Sequence, residues 1–203
     1  MRLAIIGKGY WSGVIKRTLE QHFPDICLFV LGRERESQAV DGVIIATPPN
    51  THAKIARQYI ADSIPVFIEK PLCTSYEDAK EIVADLEVRN VPVLVDHTYL
   101  FDSRYQRMKE EVKRHGKIHS IQSWGGNYGQ FKYDPLWDYA PHDVAMCLDI
   151  FGEYPGQTVL RRMRSHVTSG EAIFLWLAWF DTVAEIITGN IFASRSRRCM
   201  VRC

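Results

Sequence analysis

Apolar residues in the first half of the chain fall into short unbroken runs, separated by stretches of helical periodicity. Arg2–Ile6 is such a run, ending at Gly7, and reads as a strand buried on both faces. Behind the segment GKGYWSG, residues Val14, Ile15, Thr18, Leu19 and His22 recur at helical spacing until Pro24 ends the helix. Ile26–Leu31 and Val43–Thr47 read as further strands, the second stopped by Pro48-Pro49. Asn50 or Thr51 stands where it can cap a helix with Ala53, Ala56, Tyr59 and Ile60 on its inner face. Val66–Ile68 is another strand. Ser75 and Asp78 have capping-box spacing ahead of Ala79, Ile82, Val83 and Leu86. Val91–Val95 is a strand, and Tyr105, Met108 and Val112 mark a helix that Gly116 ends.

This alternation predicts an N-terminal α/β domain over residues 1–116, a Rossmann-type doubly wound parallel sheet covered on both faces. From Ile118 the rhythm changes. Ile118–Trp124, Gln157–Val167, Ala172–Phe180 and Val183–Ile191 read as longer strands, with one clear helix, Pro141–Phe151, among them. They predict a second, α+β domain over 117–203 with a mostly antiparallel open sheet for substrate and dimer contacts. Behind Val183–Ile191 comes only ASRSRRCMVRC, so an unpaired sheet edge is expected there. Ala172–Phe180 is apolar at both alternating sets of positions, and both faces therefore need cover. Helix 141–151 supplies one cover and a second subunit the other, which predicts a homodimer or higher oligomer through this sheet.

Net charge is +1, which gives no bulk attraction to nucleic acid or to an anionic membrane surface. The richest apolar run, IFLWLAWF (173–180), is far too short to span a bilayer. Five cysteines, odd in number and without CxxC spacing, fit reduced thiols in a cytoplasmic protein. Met1-Arg2 leads straight into LAIIG, without a signal-peptide pattern.

Candidate chemistry begins with GKGYWSG, where Gly7, Gly9 and Gly13 stand between a strand and a helix. Gly7 permits the tight turn, Gly9 lets backbone approach a pyrophosphate, and the helix N-terminus favours its charge. Gly32 and Arg33 in LGRER stand where an acid would accept from a ribose 2′-hydroxyl. Arginine there grips a 2′-phosphate, which favours NADP over NAD. VFIEKPL (66–72) sets Glu69 and Lys70 at the carboxyl end of a parallel strand, where open α/β sheets bind ligands. Lys70 can donate to a substrate hydroxyl, and Glu69 can pair with that ammonium or a ribose; the plainer reading is a surface lysine opening a loop. Asp138, His142, Asp143 and Cys147 offer mixed ligand atoms, but their spacing matches no common zinc pattern, so no metal is expected. Trp124, Trp137, Trp176 and Trp179 read as core and interface rather than a sugar platform.

Taken together, GKGYWSG, ATPPNTH (46–52), EKP (69–71), HTYLF (97–101) and DYAPHD (138–143) resemble the glucose–fructose oxidoreductase/inositol dehydrogenase family, Gfo/Idh/MocA. Their order and spacing follow that family from residue 1 to about residue 190. The resemblance implies an NAD(P)-dependent oxidoreductase acting on a sugar, a sugar derivative or a related polyol or carbonyl compound. It makes Lys70 the active-site lysine, touching substrate and nicotinamide ribose, and His142 the catalytic histidine with Asp138 as its partner acid. It places Gly7, Gly9, Tyr10, Trp11, Gly32, Arg33, Thr47, Pro48, Asn50, His52 and Glu69 along the cofactor. It places His97, Tyr99, Asp138 and His142 along the substrate.

An imidazole accepts a carbinol proton near neutrality, while Lys70 polarises the same oxygen. The chain departs from the family between LGRER and VDGVIIATPP, where only ESQA replaces a helix and short strand beside the adenine. It also stops before the further strands that typical relatives carry. A shortened, non-catalytic relative that still folds and oligomerises, with weak or no dinucleotide binding, is the second reading.

Overall fold

The computed structural model describes residues 1–32, 39–128, 133–165 and 170–203, leaving aside the side chains of 127, 128 and 191–196. Arg33 therefore lies outside the described residues. The chain forms two compact units, Met1–Asp96 and His97–Cys203.

In the first unit, β1 (Arg2–Ile6), β2 (Cys27–Leu31), β3 (Gly42–Ile45), β4 (Val66–Glu69) and β5 (Val93–Asp96) form one parallel sheet. Their order is β2-β1-β3-β4-β5, the flavodoxin-like doubly wound arrangement, whose switch point lies between β1 and β3. Three helices cross over between strands: α1 (Tyr10–His22), α2 (His52–Ala61) and α3 (Tyr76–Arg89). The two-residue period of each strand divides its side chains between the faces. Ala4, Ile6, Val43 and Ile45 pack with Ala53, Ala56, Tyr59 and Ile60 of α2 and Ile82 of α3. Ile5 and Ile44 pack on the opposite side with Ile15 and Leu19 of α1. Both faces are thus covered, as unbroken apolar strands require.

Ser75 caps α3 as expected, its hydroxyl accepting from the Asp78 amide at 3.3 Å. The expected cap on α2 is corrected. Pro49–Thr51 forms a 3-10 turn ahead of that helix, and neither Asn50 nor Thr51 caps it. Thr51 already has helical backbone angles, and its hydroxyl turns back to the Pro48 carbonyl at 2.7 Å.

The second unit opens with α4 (Ser103–His115), which precedes the rhythm change near residue 117 yet belongs with the elements after it. The reason lies in α6 (Ala140–Phe151). Asp149 of that helix accepts from the Tyr105 hydroxyl at 2.6 Å and pairs with Lys109 at 2.6 Å. The strands are β6 (Ser120–Tyr128), β7 (Gln157–Arg164), β8 (Glu171–Trp179), β9 (Thr182–Gly189) and β10 (Ile191–Arg202), with a short helix α5 (Pro135–Asp138) after β6. Sheet order is β10-β6-β9-β8-β7, antiparallel throughout except for β6 against β9.

The segment after Ile191, for which no strand is expected, carries one more, and the expected sheet edge falls on that strand, β10, at the end of the order β10-β6-β9-β8-β7. Residues 191–202 form β10 and pair with β6, with Arg198 opposite Trp124 and Met200 opposite Gln122. The arginine-rich tail conceals a strand because its alternation is polar on one side and mixed on the other.

One face of this sheet buries Ile121, Leu175, Leu177, Ala184 and Ile186 together with Cys147 of α6. Trp179 belongs to that core, stacked on Phe151 with ring centroids 4.0 Å apart. The opposite set on β8 is less covered: Phe174 and Trp176 are half-buried and Phe180 beyond the strand is fully exposed. Among the described residues, no helix is long and apolar enough to cross a membrane.

Candidate active site

In a parallel sheet all carboxyl ends share one edge, so the motifs that follow β1, β3 and β4 are brought together by topology alone. Gly7 follows β1 with φ +122°, a region that side chains strongly disfavour. A Cβ at Gly7 would lie 2.6 Å from the Ala46 carbonyl oxygen, so the glycine loop and the loop after β3 are in direct contact. The Ser12 hydroxyl, buried at the start of α1, donates to that same carbonyl at 3.3 Å. Gly7→Ala is expected to destabilise the first unit by about 2–3 kcal/mol, from positive-φ strain and a displaced carbonyl. Thermal denaturation checks it, and an unchanged midpoint would show that the loop relaxes freely.

Gly9 is the N-cap residue of α1, which has no side-chain cap and no acid in its first turn. A Cβ at Gly9 would meet nothing within 4 Å, and the same holds at Gly32 after β2. Uncapped amides at the positive end of a helix, with open space at the glycine before them, fit a diphosphate. The residues present therefore suit a dinucleotide. Tyr10 and Trp11 are exposed on the first turn of α1, their rings 5.4 Å apart edge to face.

Thr47 and Pro48 are half-buried after β3, and Asn50 is exposed. His52 differs from these expected cofactor neighbours, because it is wholly buried. Its Nδ1 lies 2.8 Å from the Pro71 carbonyl and its Nε2 2.8 Å from the Thr47 carbonyl. The imidazole thus lies between the loop after β3 and the loop after β4, its single N–H in the neutral form donating to one of the two carbonyls. Burial is the main force holding its pKa below the usual histidine value.

Glu69 ends β4 directly opposite Asp96, which ends β5. Burial, reinforced by the Asp96 charge, pushes the Glu69 carboxyl up to about 7, against the opposing influence of Lys70. Asp96 is raised too, by its own burial. VLVDH (93–97) repeats the pattern of VFIEK (66–70), and this parallel was the available signal for Asp96. Between the ordinary value of 4.5 and about 7, folded Glu69 holds a proton that the unfolded chain has released. Stability therefore falls as pH rises through that window and levels off above it. Glu69→Gln, which keeps the shape of the protonated acid, is expected to flatten this slope, as thermal midpoints at about pH 5 and about pH 8 would reveal. Equal slopes in both proteins would refute the assignment.

In the second unit, Tyr99 lies in a 3-10 turn (Thr98–Phe101), with its ring edge-on to His142 at a centroid distance of 4.8 Å. His142 is buried in the first turn of α6, and Asp138 closes α5, four residues before it. His97 precedes the turn; its Nδ1 is buried without a hydrogen-bond partner among the described residues, and burial lowers its pKa.

Three further residues support this cluster. Asp143, next to His142 and fully buried, pairs with Arg197 and accepts from the Ser123 hydroxyl at 2.6 Å. Burial raises the Asp143 carboxyl, with the Arg197 guanidinium and the Ser123 hydroxyl opposing. The Arg197 guanidinium also lies 4.7 Å above the Tyr99 ring centroid. Arg197 was legible in the sequence only as part of a basic tail, since its partners lie on remote segments.

Residues 31–97 match the model of the oxidoreductase family with an NAD-binding Rossmann fold. An inositol 2-dehydrogenase from Agrobacterium fabrum is 36% identical over 92 residues, covering 44% of this chain and 27% of that protein. An uncharacterised Saccharomyces cerevisiae protein is 25% identical over 181 residues, covering 80% of this chain and 52% of its own length. The chain thus spans about half the length of that curated relative. The crystal structure of a protein described as an oxidoreductase from Magnetospirillum magnetotacticum superposes with a TM-score of 0.86 at 33% identity. That match covers 99% of this chain and 74% of the other. With the order 2-1-3-4-5, the glycine turn at the switch point and near-complete coverage of this fold, the chain belongs to the Gfo/Idh/MocA family of NAD-binding oxidoreductases.

Proposed function

We propose that this chain is a nicotinamide-dinucleotide oxidoreductase for a sugar, a sugar derivative or a related polyol or carbonyl compound. The observation that carries the reading is the uncapped start of α1 behind Gly7 and Gly9, set against the loop after β3. That construction suits a diphosphate and has no evident purpose in a merely structural turn. When bound, the nicotinamide supplies the two-electron acceptor or donor. The Lys70 ammonium donates to the substrate oxygen, and His142 takes the hydroxyl proton at its imidazole in the oxidative direction. Asp138 orients that imidazole or a neighbouring hydroxyl. His52 keeps the loop bearing Lys70 in register with the loop bearing Thr47.

Parallel calorimetric titrations with NAD and NADP test the reading, and Arg33 favours the phosphorylated cofactor. Saturable heat with either supports it; no binding of either overturns it. A second reading is favoured by the ten residues, 32–41, that join β2 to β3. They are too few for the helix and strand that flank adenine in relatives, so the chain would be a non-catalytic relative that folds and oligomerises. Dehydrogenase turnover with any sugar excludes that alternative. The half-buried Phe174 and Trp176 with exposed Phe180 support a homodimer through β8, which light scattering at micromolar concentration would reveal as twice the monomer mass.

A further inference from the structure

The geometry points to Arg197, carried by the last strand, as a positioning residue that holds His142 in place through two separate contacts. The inference rests on the reading of His142 as the proton acceptor, but its test needs neither cofactor nor substrate.

The first contact begins with a missing side chain. The pairing of β10 with β6 sets Arg197 opposite Gly125. A Cβ at Gly125 would lie 3.0 Å from both Cζ and Nη2 of Arg197, so the guanidinium occupies the space that any other residue at 125 would fill. From there it reaches Asp143, while Ser123, two residues along the same face of β6, donates to Asp143 Oδ1. The carboxylate adjoining His142 is thereby pinned by two strands at once, which fixes the backbone of the first turn of α6. Arg197 Nη2 also lies 3.5 Å from the carbonyl of Tyr139, just before that helix.

The second contact acts on the ring. The guanidinium lies over Tyr99, and Tyr99 meets the His142 imidazole edge to face. A flat cation against a phenol ring restricts the ring's rotation, and a restricted phenol leaves the imidazole fewer rotamers. One arginine therefore holds the histidine by its backbone and by its side chain. A role limited to neutralising Asp143 would need only the first contact.

These two roles are separable because lysine can replace the charge but not the planar stack. The test monitors the Cε1–H signals of histidines labelled with carbon-13, with His142 identified as the signal lost in His142→Gln. In Arg197→Met the His142 signal is expected to move towards the free-imidazole position, while those of His22 and His52 stay in place. In Arg197→Lys thermal stability is expected to recover while the His142 signal stays displaced. An unmoved signal in Arg197→Met, or recovery of signal and stability together in Arg197→Lys, would overturn the proposal. If Arg197→Met does not fold, Gly125→Ala decides. It keeps the charge and both partners but displaces the guanidinium, so a shifted His142 signal supports the assignment and an unshifted one refutes it.

Discussion

Lys70→Ala is expected to lower turnover by about a hundred- to a thousandfold, with dinucleotide affinity changed far less. Lys70 follows the last residue of β4 at the carboxyl edge of the parallel sheet, half-buried, and precedes Pro71, whose carbonyl oxygen lies 2.8 Å from His52 Nδ1. In the proposed reaction an ammonium there would stabilise charge on the substrate oxygen as its proton leaves, an interaction stronger in the transition state than in the ground state. Removing it should therefore depress the maximal rate rather than raise KM alone. The measurement is steady-state kinetics with whichever sugar or polyol a dehydrogenase screen identifies, alongside calorimetric titration of the cofactor. If the variant turns over at the parent rate, Lys70 is a loop lysine and the proposed chemistry loses its electrophile.

The second large effect is structural. Asp143→Ala is expected to destabilise the fold by about 3–5 kcal/mol, because it strands the Arg197 guanidinium in a site that is only slightly open to water. The Arg197 side chain is 12% exposed and that of Asp143 0%, so solvent cannot replace the lost partner. For a chain of this length the loss corresponds to roughly 10 °C in Tm. Asp143→Ala combined with Arg197→Met should cost less than the two single changes added together, since the double variant leaves no unpaired charge behind. Chemical denaturation of all four proteins completes the cycle. A loss below about 1 kcal/mol for the single variant would mean that water enters and that the pair resembles a surface ion pair.

The parallel unit was legible in the sequence almost element by element. Its central strands β1, β3 and β4 are largely buried, so they appear as unbroken apolar runs, and local signals mark helix boundaries, such as Pro24 beyond the end of α1 and Ser75 before α3. Gly7 was legible because only backbone geometry could require glycine there, and a positive φ is a local property. Glu69 and Lys70 stood out because charges at the end of a core strand are costly without a purpose.

The second unit was legible in its strand content but not in its pairing. β10 was hidden because serines and arginines interrupt the apolar alternation of ASRSRRCMVRC, although Cys199 and Val201 pack on the core of this sheet once the segment pairs with β6. His52 stands by position among the expected cofactor neighbours, and only packing shows that it is buried with its ring nitrogens 2.8 Å from the Pro71 and Thr47 carbonyl oxygens. Strand and helix content and the glycine turn came from local periodicity and from conformational limits within a few residues, whereas the roles expected of Lys70, Asp138 and His142 came from the resemblance of their motifs to a family. The assembly around His142 came from neither. Tyr99, Ser123, Asp143 and Arg197 come from four separate elements, and strand register with helix packing, which depend on the whole chain, decided that they meet.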